Sequence, residues 1–87
     1  AADEVETYLT QHSPSALLLE PRSMFRPSLI GIAVLDGQTV AAYDVGLIIQ
    51  CLMIPGMDIS DAREWFDYNI ERACFGPGSP VLVYGEE

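Results

Sequence analysis

The side chains able to do chemistry in this chain fall in three places. The first is an acidic stripe, Glu64, Asp67 and Glu71, at helical i, i+3 and i+4 spacings. Like charges so placed cost about 0.2 to 0.5 kcal/mol per pair. A solvated face is the simplest account of them, and a docking face for a basic partner is the functional one. Asp58-Ile59-Ser60-Asp61 lies close by but lacks the spacing of a calcium loop, so no metal is assigned. The second place is Glu20 to Arg26, where Arg22 and Arg26 flank Met24 and Phe25. Two guanidinium forks beside an aromatic ring suit a phosphate or carboxylate, and they suit the chain's own abundant acids equally well. The third is Asn69, which a regular helical period puts on an apolar arc. An unpaired amide there costs roughly 1 to 3 kcal/mol, so the spacing predicts that Asn69 has partners, either backbone groups that it clamps or a ligand. Arg22, Arg26 and Asn69 together form the candidate set for an anionic small molecule.

Catalysis finds little support. His12 is the single histidine and sits beside Ser13 at a predicted helix end, a capping or surface position. Gly76-Pro77-Gly78 is short, and its proline removes an N–H that a phosphate cradle uses. A nucleophile elbow, a zinc-type Cys/His cluster and a dinucleotide fingerprint are all missing from the sequence. The reading leans away from an enzyme and expects no cofactor.

The elements that must carry these residues are legible in part. Val5, Tyr8 and Leu9 make one face of a short helix over residues 3–12, which Ser13-Pro14 ends. Residues 16–19 are apolar and fit either a short strand or a buried loop. Leu29 to Val34 and Gln38 to Tyr43 flank Asp36-Gly37, the residue pair that supplies the positive φ values of a tight hairpin turn. Asp44 is placed to cap a helix over 45–54, and Ser60 to cap a second over 61–72. Val81 to Tyr84 then forms a short strand. The expected fold is α+β: one domain over 1–87, with a small antiparallel sheet (hairpin 29–43 plus strand 81–84) packed by the two helices and an N-terminal helix at its edge. An antiparallel pair of helices would set Cys51 and Cys74 on the order of 10 to 15 Å apart along the axis, too far for a disulfide.

Apart from Gly46 and Gln50, every residue from Val45 to Ile54 is apolar. A helix apolar all round is buried on several sides or packed on another molecule. An 87-residue chain hides only about 60 to 65% of its unfolded surface, so Leu47, Ile48, Cys51 and Leu52 are read as an interface with a protein partner or in a homodimer.

Thirteen acids against four bases, a net charge of −9, disfavour nucleic acid and anionic membrane surfaces as direct partners. The longest apolar run, 47–57, is too short and too interrupted to cross a bilayer. An acidic start is the opposite of a secretory signal, so the chain reads as cytoplasmic unless a signal has been removed.

Tyr43-Asp44, the apolar helix, Gly56-Met57, the Ser60 helix with Trp65-Phe66-Asp67-Tyr68-Asn69, and Gly76 before Ser79-Pro80-Val81 together resemble a group of small uncharacterised acidic proteins of bacteriophages and bacteria. Glu20-Pro21-Arg22 and Ile30-Gly31 extend the likeness over about residues 20–83. The resemblance implies neither an activity nor a site. The function expected from the residues is a non-catalytic protein–protein interaction module, phage or prophage encoded. The alternative is a binder of an anionic small molecule, or an enzyme, using Arg22, Arg26 and Asn69.

Overall fold

Asp36 and Gly37 both adopt positive φ, 52° and 78°, and turn the chain directly from β1 (Leu29–Leu35) into β2 (Gln38–Asp44). The computed structural model describes residues 2–85. It contains an N-terminal helix α1 (Ala2–His12), a single helical turn α2 (Arg22–Phe25) that runs on into a 3-10 turn (Arg26–Ser28), the hairpin, then α3 (Val45–Met53), α4 (Ile59–Phe66) and a short strand β3 (Val81–Val83). The α+β arrangement with an N-terminal helix is the one expected.

Three details differ from the expectation. First, β3 pairs with β2 in parallel, in the register Ala42↔Val81, Tyr43↔Leu82 and Asp44↔Val83, so the sheet is mixed and its order is β1-β2-β3. The helical connection from β2 to β3 is the physical reason, because a crossover through α3 and α4 returns the chain to the end from which β2 started. Second, the cap of α4 is Asp58, whose Oδ1 accepts the Asp61 N–H at 2.8 Å, and not Ser60. Third, α4 does not continue regularly to residue 72. From Asp67 to Glu71 it widens into a π-turn, which the Arg72 N–H closes on the Asp67 carbonyl at 3.3 Å.

Residues 13–20 form no strand, and Ala16, Leu18 and Leu19 lean on the core as a loop. The loop is tied down by Ser13 Oγ, which donates to the Thr39 carbonyl at 3.0 Å, and by the Leu19 N–H, which donates to the Tyr43 hydroxyl at 3.1 Å.

One continuous core joins Leu9 of α1, Phe25 of α2, Leu29 of β1, Ala41 and Tyr43 of β2, Ile48, Ile49, Cys51 and Leu52 of α3, and Ala62, Phe66 and Ile70 of the last helical stretch. One side of the apolar helix is buried in its own chain, with Ile48 0% and Leu52 2% exposed against the 3-10 turn, α2, β2 and α4, while Gln50 and Met53 remain exposed. Fully burying such a side chain contributes about 1.5 to 3 kcal/mol. Ile48, Cys51 and Leu52, expected at an interface with a second molecule, are buried within the chain, where the single turn over 22–25 and the 3-10 turn after it supply cover that helical and strand periodicity alone do not reveal. Leu47 is half-buried at the edge of the same helix.

Candidate docking groove between the two central helices

Asp44 ends β2 and begins α3. Its Oδ1 accepts the Leu47 N–H at 2.9 Å, the capping bond expected from the sequence. That cap sets the direction of α3, and α4 returns alongside it to leave a groove of about 1010 Å³. Ile49 and Met53 of α3 and Ile59 and Phe66 of α4 form its apolar lining. Its polar lining residues include Asp44, Gln50, Arg63, Asp67 and Glu71. Tyr84 and Gly85, just beyond β3, close one end.

Tyr84 is held there by a short hydrogen bond in which its hydroxyl donates to Glu71 Oε2. That bond, with some burial and the charges of Glu71 and Asp67, pushes the phenol up to about 12. The hydroxyl keeps its proton well into alkaline pH and latches the C-terminal end of the sheet onto the π-turn.

The acidic stripe is divided between two places. Asp67 and Glu71 line the groove, whereas Glu64 borders a shallower depression of about 400 Å³ with Asp61, Met57, Trp65, Tyr68 and Asn69. All three carboxylates are exposed. Asn69, expected on the buried arc, is exposed too, and its Nδ2 donates to the Trp65 carbonyl at 3.0 Å. The π-turn is the cause: an extra residue per turn rotates the following side chains, keeping Ile70 in the core and turning Asn69 outward. Its partner is nevertheless a backbone group.

The anionic-ligand set is not assembled. Arg22 pairs with Glu20, Nε to Oε2 at 3.0 Å, on an exposed surface. Arg26 is held by α1, with Nη2 3.2 Å from Glu6 Oε1 and Nε 3.2 Å from Asp3 Oδ1, and the hydrogen bond to Glu6 is the main reason that its pKa is raised. Neither arginine borders the depression that contains Asn69. Both arginines thus pair with acids of the same chain, the alternative that their types left open, and Arg26 alone ties two elements together. Phe25, between them, is a core residue whose ring stacks against Trp65 with centroids 6.5 Å apart.

Arg72 lies over the Tyr68 ring at 4.4 Å, and Arg63 makes no ion pair among the described residues. Cys51 and Cys74 are both free thiols, pushed up in pKa by burial. His12 is exposed, with its ring 4.6 Å from that of Tyr8. Among the described residues no cluster of His, Cys, Asp and Glu is arranged to hold a metal ion, and no helix is long and apolar enough to cross a membrane.

Sequence reasoning missed the groove because its lining comes from two helices and a strand end that are distant in the chain. A usable signal was present in Ile59, an apolar residue in the first turn of α4 that remains half exposed. No protein family, curated protein or solved structure matches this chain.

Proposed function

We propose that this protein is a non-catalytic interaction module, and that the groove between α3 and α4 receives an apolar, basic segment of a partner protein. The observation that carries the reading is the pairing of an apolar lining, Ile49, Met53, Ile59 and Phe66, with three carboxyl groups, Asp44, Asp67 and Glu71, in one concave surface. Such a surface favours a segment that presents hydrophobic side chains to the lining and lysine or arginine to the rim. The overall charge of −9 adds long-range attraction for a basic partner and repels anionic ones. A phage or host protein in the cytoplasm is the partner to seek.

The test is site-directed photo-crosslinking from position 59 in an extract of the native host, compared at low and high salt. The expected result is one dominant crosslinked protein whose yield falls as salt rises and is lost in Met53→Asp. Crosslinks indifferent to both changes would dispose of the groove as the binding face.

A further inference from the structure

β1 is an edge strand with its outer side unpaired in the sheet, and apart from a bulge between Leu29 and Gly31 it carries none of the features that guard such an edge. Natural edge strands are blunted by charge, by proline or by brevity. β3, at the other edge, is three residues long, whereas β1 has seven and reads Leu-Ile-Gly-Ile-Ala-Val-Leu with no charged residue. Ile30, Ile32, Val34 and Leu35 are all exposed, Ile32 at 45% and Val34 at 66%, although Ala41, directly opposite Ile32 on β2, is fully buried. α1 packs against β1 but leaves these side chains uncovered. A Cβ built on Gly31 meets nothing within 4 Å, so the face of the strand at its middle is open as well.

We infer that β1 pairs with β1 of a second copy of this chain, antiparallel about a two-fold axis at Ile32, to make one six-stranded sheet. The pattern of the strand specifies this occupant. Reflected about Ile32, Leu29 meets Leu35, Ile30 meets Val34, Gly31 meets Ala33 and Ile32 meets itself, so large faces large and small faces small at every position. Directly opposed β-branched residues are favourable cross-strand pairs. Charge selects the same direction. An in-register parallel pairing would set Asp36 against Asp36, whereas the antiparallel register keeps the two carboxylates at opposite ends of the ladder. The strand is about 24 Å long, and the bulge at Ile30 shortens the usable ladder, so the contact lies below the roughly 1,200 Å² of standard interfaces and the association is weak. Two copies of charge −9 also repel. Because salt screens that repulsion, the dimer strengthens as ionic strength rises, the reverse of the salt response expected for a basic partner in the groove.

The experiment is sedimentation equilibrium of the full chain up to about 1 mM protein, at about 50 mM and about 500 mM salt. The wild type should show a monomer–dimer equilibrium that tightens at the higher salt. Ile32→Lys and Ile32→Glu each set like charges face to face on the axis and should weaken self-association at least about tenfold. Their far-UV circular dichroism should match the wild type, since Ile32 is half exposed. An equimolar mixture of the two should regain a dimer, because lysine then faces glutamate. A wild type that stays monomeric at the highest concentration and salt, or binds only a foreign strand, overturns the inference. Undiminished dimers of Ile32→Lys, or no recovery on mixing two folded variants, overturn it equally.

Discussion

Replacing Tyr43 with phenylalanine removes one oxygen from the middle of the fold and leaves the ring in place. The side chain is 2% exposed, and its hydroxyl accepts the Leu19 N–H at 3.1 Å, the bond that fastens the loop before α2 to the central strand. In Tyr43→Phe that N–H has no acceptor. A fully buried orphan costs about 1 to 3 kcal/mol, and because Leu19 is only half-buried the lower part of the range, about 1 to 2 kcal/mol, applies. For a domain of this size that loss lowers Tm by about 5 to 15 °C.

The pH dependence supplies an independent check. Burial raises the pKa of the Tyr43 phenol, against the opposing pull of the Leu19 N–H, while in the unfolded chain the group ionises near its ordinary value of about 10. Protons are thus released more readily on unfolding. The stability contributed by a neutral, buried Tyr43 is complete below pH ~10 and is lost as pH climbs toward the raised folded value. The variant lacks this group, so the gap between wild type and Tyr43→Phe should narrow above pH ~10. Urea unfolding followed by circular dichroism from neutral to alkaline pH measures both effects. A variant as stable as the wild type at neutral pH, or a gap that widens in alkali, would refute the reasoning.

Three further outcomes follow from the same coordinates. Gly78→Ala should lose several kcal/mol, or fail to fold, because residue 78 has φ +83° and a new Cβ would stand 2.6 Å from the Ser15 carbonyl oxygen; soluble yield and Tm report it. Asp44→Ala removes the α3 cap and should cost about 1 kcal/mol in chemical denaturation. Ile48→Ala should cost about 2 to 5 kcal/mol, whereas Ile54→Ala, at 82% exposure, should stay within about 0.5 kcal/mol of wild type; equal losses would mean that the core assignment is wrong.

What could be read without coordinates was local. Asp36-Gly37 requires only its own backbone to reverse the chain, and Asp44 only the next turn of helix to cap it, so the hairpin and the start of α3 were legible within a few residues of each signal. The apolar pattern left two ways of covering α3, burial in its own chain or packing on another molecule, and the second was expected. Phe25 and the 3-10 turn after it cover α3 from the far side of the hairpin in sequence, and α2 is a single turn too short to show a period.

Asn69 was misplaced for a related reason: a regular period assumes a regular helix, and the π-turn shifts the phase only because Ile70 is drawn into a core built elsewhere. The candidate groove and the uncovered edge of β1 belong wholly to tertiary structure. Composition and spacing state how much apolar surface a chain owns, while the packing of its elements determines which part of that surface is left facing outward.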